Sequence, residues 1–303
     1  GYNIYRSLEP DSGFVKINEL LVIDSQYVDD LAAGYVTCYY RVRAIDTFGY
    51  ASEASNTVSA VAGVQPVMKL VADFGVSTSG TAVNSWQDQA GGNNASQSSA
   101  NVKPELVQSA FGGRAAIKFD GVDDYLTVAD SDDINTGGPY SGKTLVVVFK
   151  TSDDIASRQV IWEQGGGVRG LNFYLDQGRL YINGWNRQET VWQPTALNAP
   201  VVANTVYVAT MVLDADAGTF RGFVNGTAVG VTGNVAQLYN HSDDCAFGHA
   251  ESATRFHDGT NTTITNFSGW IAEFHQYNGA LPEHDRMSLE AVLSAGYGVG
   301  VLR

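Results

Sequence analysis

Apolar and polar residues alternate with the two-residue period of β-strands over much of this chain. In residues 1–60, Tyr2, Ile4 and Arg6 lead to a turn at Glu9-Pro10-Asp11-Ser12-Gly13. Phe14-Val15-Lys16-Ile17, Tyr39–Asp46 and Ser55–Ala60 read as further strands. Ala62-Gly63-Val64-Gln65-Pro66 interrupts the pattern with Gly and Pro and reads as a short linker within 61–66. Beyond it, Leu145–Phe149 and Val206–Leu213 are nearly continuous apolar runs, as expected of central strands covered on both sides. Val224-Asn225-Gly226-Thr227 predicts a type I′ hairpin, because Asn and Gly accept positive φ. Gly269–Tyr277 reads as a late strand. One helix follows, with Pro282 at its first position, Glu283 and Asp285 in its first turn, and Gly296 ending it. Met287, Val292 and Leu293 are expected near one face of it.

The same period singles out one hairpin. With a two-residue turn at Gln177-Gly178, Leu171, Phe173, Leu175, Leu180 and Ile182 face one way. The other face then carries Asn172, Tyr174, Asp176, Arg179, Tyr181, Asn183 and Trp185, with Tyr174 opposite Tyr181 and Asn172 opposite Asn183. Arg187 and Trp192 follow in the next loop.

Composition fits many short strands. The 303 residues are 44% hydrophobic and only 17% charged, with 33 glycines for tight turns. A net charge of −14 and the absence of any basic run argue against nucleic acid or an anionic membrane surface as partner. No apolar run reaches the ~18 residues of a membrane span. Cys38 and Cys245 fall in separate predicted domains, so no disulfide between them is expected. Asn94, Asn225, Asn240, Asn261 and Asn266 start Asn-X-Ser/Thr triplets, which are glycosylation sites only in a eukaryotic secretory host.

Three stretches carry a family resemblance. Ser85-Trp86-Gln87-Asp88-Gln89-Ala90-Gly91-Gly92-Asn93-Asn94-Ala95 and Phe119-Asp120-Gly121-Val122-Asp123-Asp124-Tyr125-Leu126 resemble early strands of the laminin-G-like, concanavalin-A-like β-sandwich domains. Asn278 to Val299 is similar to that family's closing strand and helix. The resemblance spans about 67–299, and the domain is taken as 67–303. Residues 1–60 resemble the second half of a fibronectin type III domain, whose first strands have no counterpart here. The chain therefore reads as a fragment of a longer polypeptide. The expected fold is all-β: a concanavalin-A-like jelly-roll sandwich of two antiparallel sheets with one C-terminal helix, plus a partial fibronectin type III sandwich.

The resemblance implies a module that holds sugars, holds neighbouring domains, or cuts polysaccharide. Hydrolases on this fold carry paired acids in a Glu-X-Asp-X-X-Glu pattern, which does not occur here. Glu273, His275 and Tyr277 share one side of a strand, and the bland reading is a core strand with buried aromatics. No nucleophile elbow, phosphate loop or zinc spacing is present, and the chain is read as a non-enzyme.

The expected carbohydrate site is the polar-aromatic hairpin face: Asn172, Tyr174, Asp176, Arg179, Tyr181, Asn183, Trp185, Arg187 and Trp192. Rings there would meet apolar sugar faces while amides and charges bond hydroxyls. The alternatives for this face are plain solvated surface or docking on the N-terminal part. On the carbohydrate reading, Trp185→Ala abolishes glycan retention without lowering thermal stability. His249 and His257 flank a loop with Glu251, Arg255 and Asp258; His241 and His284 stand apart.

Asp120/Asp123/Asp124, Asp130/Asp132/Asp133 and Asp243/Asp244 invite a structural calcium ion, as relatives carry one, with no individual ligand assigned. The expected partners are a glycan or cell-surface ligand and adjacent domains or subunits of a larger extracellular protein. Such pairs occur in accessory domains of polysaccharide-degrading enzymes, in adhesins and in phage tail fibres. A structural subunit of a filament or fibre is the second expectation, and a polysaccharide hydrolase or lyase the third.

Overall fold

A computed structural model describes residues 1–29, 37–61, 63–189, 192, 196–251, 253–262 and 265–300. Ala62 of the expected linker, the Thr263 that completes the Asn261 triplet, and residues 301–303 lie outside these. Internal contacts divide the chain into two units, residues 1–64 with 282–292, and residues 65–281 with 293–303.

In the first unit, Tyr2–Ser7 pairs with Val15–Lys16 on one side and Thr37–Ala44 on the other. Val58–Val61 completes a four-stranded antiparallel sheet. Tyr2, Ile4, Tyr40, Val42 and Ala60 line a hollow of about 760 Å³ on it, together with residues of the segment 22–29.

The second unit is an antiparallel β-sandwich. At the centre of one sheet, Gly142–Thr151 pairs with Ser268–Tyr277 and with Val206–Asp214. Arg114–Asp120 and Met68–Val71 extend it beyond Ser268–Tyr277; Thr219–Val224 and Thr227–Gly233 extend the other side. The second sheet runs Ala82–Trp86, Ala95–Ser96, Leu126–Val128, Cys245–Phe247, Gln159–Gly165, Arg169–Asp176, Arg179–Asn186, Leu197–Pro200. Glu105–Phe111 pairs with Arg114–Asp120 and, through Ala82 and Glu105, links the two sheets. The apolar run at Leu145–Phe149 is explained by its central place: all five side chains are buried, whichever face they leave.

The core lies between the sheets. Leu145, Val147, Phe149, Met211, Ile271 and Phe274 from one meet Leu126, Ile161, Phe173 and Ile182 from the other. Phe247 anchors its aromatic centre, with ring centroids 4.4 Å from Trp162, 5.0 Å from Phe274 and 5.6 Å from Trp86. The Trp86–Asp88 and Phe119–Leu126 stretches thus owe much of their character to packing. Trp86 and Phe119 are core residues, and Asp88 accepts the N–H groups of Lys69, Ala90, Gly91 and Asn93, fixing the loop that follows it.

Both predicted two-residue turns form. Asn225 and Gly226 have φ of 50° and 79° between the paired Val224 and Thr227. Gln177 and Gly178 have φ of 50° and 72° between the paired Asp176 and Arg179. The helix spans Glu283–Gly296, ending at the expected glycine, and Gly298 (φ 67°) makes the left-handed turn beyond it. Its buried side differs in part from expectation. Leu289 and Leu293, one turn apart, are buried with Arg286 and Glu290, whereas Met287 and Val292 are exposed. Both cysteines are buried free thiols.

Candidate functional site

The hairpin adopts the expected register, with Tyr174 paired to Tyr181 and Asn172 to Asn183. Its polar-aromatic face is nevertheless covered, because residues 254–260 fold over it. Asn172 donates to the Thr254 hydroxyl (2.7 Å) and the Arg255 carbonyl (3.0 Å), and Asn183 donates to the same carbonyl (2.9 Å). The His257 N–H donates to the Tyr174 hydroxyl at 2.9 Å. Its ring stacks on Tyr181 at 4.2 Å, and Tyr181 stacks on Tyr174 at 4.8 Å. Phe256 fills the edge of this stack, 4.9 Å from Tyr174. Arg158 ties hairpin to cover, binding Asp176 at 2.6 Å and Asp258 at 2.9 Å.

Seven of the nine residues expected to meet sugar are therefore buried: Asn172, Tyr174, Asp176, Tyr181, Asn183, Trp185 and Trp192. Trp192 belongs to the inter-sheet core, and Trp185 donates its indole N–H to the Gly166 carbonyl at 2.9 Å. Arg179 is half-buried beside Asn198. Only Arg187 is exposed. Strand periodicity shows which side chains share a face; it does not show that a segment seventy residues later lies across them.

Glu273, His275 and Tyr277 do lie together, as their spacing requires. The His275 ring is 2.7 Å from Glu273 and 3.4 Å from the Tyr277 hydroxyl, and Tyr297 donates to Glu273 at 2.7 Å. All four are buried. Burial pushes the Glu273 carboxyl up, but the His275 and Tyr297 contacts outweigh it and hold it below its usual range. These partners account for the cluster as a closed interior network.

An open polar site lies at one end of the sandwich. The turn Gly166-Gly167-Val168-Arg169, joining Gln159–Gly165 to Arg169–Asp176, faces residues 240–243 and Gln188 across a groove of about 230 Å³. Each wall is fixed. Trp185 holds the Gly166 carbonyl from below. Arg169 donates to the Asn240 carbonyl (2.9 Å), to Gln188 (3.0 Å) and to Glu189 (3.2 Å). Asn135, fully buried, donates to the Asp243 carbonyl (2.9 Å) and lies 3.5 Å from His241 Nδ1.

Two glycines bring the backbone close to exposed side chains of neighbouring segments. A Cβ on Gly166 would come within 2.6 Å of Asp243 Oδ2, and one on Gly167 within 3.2 Å of Asn261 Nδ2. The two Asn135 Nδ2 hydrogens go to Asp130 and to the Asp243 carbonyl, and His241 Nε2 is a buried ring nitrogen with no hydrogen-bond partner among the described residues. Burial, then the Lys143 and Arg169 charges, pull the His241 pKa down to about 3, so the ring is neutral at working pH.

Arg169, Gln188 and the Gly165–Gly167 turn were not singled out by sequence reasoning, which noted His241 only as a lone histidine and Asp243 only as part of an acidic pair. The available signal was a glycine run and the polar stretch Asn240–Asp244, neither of which has a period.

No family model matches the sequence, and no curated protein matches it. Solved structures do. The botulinum neurotoxin serotype D binding domain aligns with a TM-score of 0.54 at 14% identity, over 76% of this chain and 51% of that one. The binding domain of Paraclostridial Mosquitocidal Protein 1 gives 0.55 at 14%, over 76% and 52%. The binding domain of botulinum neurotoxin DC, solved in complex with SialylT, gives 0.52 at 15%, over 76% and 52%. The likeness is one of fold. It agrees with the all-β sandwich, and the chain spans about half the length of the solved chains it matches.

Of the acidic clusters, Asp120, Asp123 and Asp124 are the group among the described residues that brings a carboxylate oxygen from each to within 4.8 Å. Asp120 also accepts the Val122 N–H, and Asp124 the Asp120 N–H, as turn-forming carboxylates do. Burial, and then the Asp120 charge, raise Asp124 to about 6. A carboxyl raised above its unfolded value destabilises the fold as pH climbs through that window, here from about 4 to 6. Without divalent cations, Asp124→Asn is expected to raise the melting temperature at pH 7 and leave it unchanged at pH 4. If calcium occupies the cluster, the substitution lowers the melting temperature in millimolar calcium and raises it in chelator. Calorimetry at both pH values reads either sign.

Proposed function

We propose that this chain is a non-catalytic recognition module that binds a glycan or glycan-bearing cell surface as part of a larger extracellular protein. The observation that carries this reading is the polar groove between Gly166–Arg169 and Asn240–Asp243, with the exposed Asp243 carboxylate on its lining. Preorganised donors and acceptors at a concave loop end suit hydroxyl recognition. The fold shared with toxin binding domains, one of them solved in complex with SialylT, supports a binding role. The closed Glu273–His275 network supports a role without catalysis. On this reading residues 67–303 form a laminin-G-like domain, and residues 1–60 are the latter part of a fibronectin type III spacer.

The test is a glycan array probed with the whole chain displayed multivalently. Retention on a defined subset, lost in Asp243→Ala, is the expected result; no retention on any glycan would overturn the reading. A structural role in a fibre has its own support in the apolar hollow of the N-terminal sheet. Sedimentation separates the two, since a fibre subunit assembles without glycan and a recognition module stays monomeric.

A further inference from the structure

We infer that the outer face of the sheet centred on Gly142–Thr151 carries a second contact, for a single acidic sugar, formed by Lys118, Trp270 and Lys150. The inference rests on the glycan reading above and adds to it a site outside the groove and the class of sugar taken there. Strand alternation builds the site. Ile117, Phe119, Phe149 and Ile271 belong to the core between the sheets, so their neighbours Lys118, Trp270 and Lys150 point outward. Trp270 pairs in register with Lys118 on one side and with Lys150 on the other, which sets the three side chains in one row across three strands. With strands about 4.8 Å apart, the two lysine Cα atoms stand roughly 10 Å from each other, and two side chains of that length reach one anion between them.

Polarity gives the ligand class. All three residues are half-buried, with apolar parts against the sheet and polar ends toward water. Lys150 Nζ already lies 5.0 Å from the centre of the Trp270 ring. Arg6, Arg114, Arg158, Arg169 and Arg286 each hold a carboxylate, whereas neither of these lysines does among the described residues. The indole N–H likewise has no acceptor among them. Three adjacent donors without acceptors suit a carboxylate, which accepts several hydrogen bonds and donates none.

The surroundings limit the charge. Glu105 pairs with Lys118 on its far side, and Asp120 lies two positions along the same strand; both are exposed. These carboxylates bound the patch, so one negative charge is accommodated while the next charge of a polyanion would be repelled. Salt screens the attraction, since the Debye length falls from about 8 Å at 0.15 M to about 3 Å at 1 M.

The experiment uses the whole chain on multivalent beads and pairs of glycans that differ only in a terminal sialic or uronic acid. The acidic member is expected to be retained about fivefold better at 0.15 M NaCl and equally at 1 M, because exposed ion pairs are weak singly and valency multiplies them. Lys118→Gln combined with Lys150→Gln is expected to remove the preference, leaving the melting temperature and the retention of the neutral member unchanged. Lys16→Gln combined with Lys103→Gln alters the net charge equally and is expected to keep the preference. Retention of the neutral member as well as or better than the acidic one at 0.15 M overturns this inference and leaves the recognition reading standing. So does a preference that survives the first double variant, or one that falls as far in the second. Retention of neither member, on a full array, removes the recognition reading itself.

Discussion

Trp185→Ala is expected to destabilise the fold by about 3–5 kcal/mol, the range for deleting a fully buried large aromatic side chain. The indole is completely buried, and it pairs across the strands with Gly170, where even a Cβ would come within 2.8 Å of the ring. The substitution also frees the Gly166 carbonyl, which the indole N–H holds at 2.9 Å. Gly166 forms one wall of the groove, so glycan retention should fall together with stability. This replaces the expectation drawn from the hairpin pattern, that Trp185→Ala would remove binding and spare the fold. Urea denaturation monitored by circular dichroism measures the effect; a loss below about 1 kcal/mol, the scale of ordinary surface substitutions, would contradict the packing described. Trp185→Phe keeps most of the ring and loses the hydrogen bond, so it separates the two contributions.

Lys143 carries the second large effect. It belongs to the inward-facing set of its strand with Leu145, Val147 and Phe149, and it is completely buried. Its ammonium donates to the Ile134 carbonyl at 2.7 Å and to Asn278 at 2.9 Å, and lies 3.7 Å from the centre of the Tyr140 ring. No carboxylate forms an ion pair with it among the described residues. Burial accordingly pulls its pKa down to about 7.

A lysine depressed in the folded state is protonated in the unfolded chain over a range where the native protein has released the proton. Stability therefore rises with pH between about 7 and 10.5, and this contribution is flat below 7. The full span is on the order of 5 kcal/mol, at about 1.4 kcal/mol per pKa unit. Unfolding free energies at pH 7 and pH 9.5 should show most of it. Lys143→Met should abolish the rise and stabilise the protein at pH 7, since a well-packed apolar isostere commonly outperforms an unpaired buried charge. The Ile134 carbonyl keeps other donors, Gln164 at 3.1 Å and Gln276 at 3.4 Å, so removing the ammonium does not orphan it. A stability profile equally steep in Lys143→Met would assign the pH dependence to other groups.

Lys143 and the groove belong to one polar end of the sandwich. Ile134 takes the lysine, Gln164 and Gln276, while Asn135, the next residue, donates to the Asp243 carbonyl and lies 3.5 Å from the His241 ring. The Lys143 charge is also among the influences that keep His241 neutral. Interior polar packing and the groove proposed for recognition thus meet at two consecutive residues, and changes at Lys143 should be checked for altered sugar retention.

The amino-acid sequence by itself determined the strands, the two tight turns and the pairing within the Arg169–Asn186 hairpin. Each of these depends on local periodicity or on residues such as Asn225, Gly226 and Gly178 that tolerate positive φ. It also placed Glu273, His275 and Tyr277 on one side of a strand. Burial was decided by tertiary structure. Residues 254–260 close over Tyr174, Tyr181 and Asn183, turning an apparently exposed sugar platform into a second small core. The helix shows the same limit, since Leu289 and not Met287 faces inward. The groove arises only when the Gly166 turn, Gln188 and residues 240–243 meet across more than seventy positions of chain. A loop has no period to declare its partners, so side-chain pattern located the scaffold, and long-range packing chose which polar groups were left facing water.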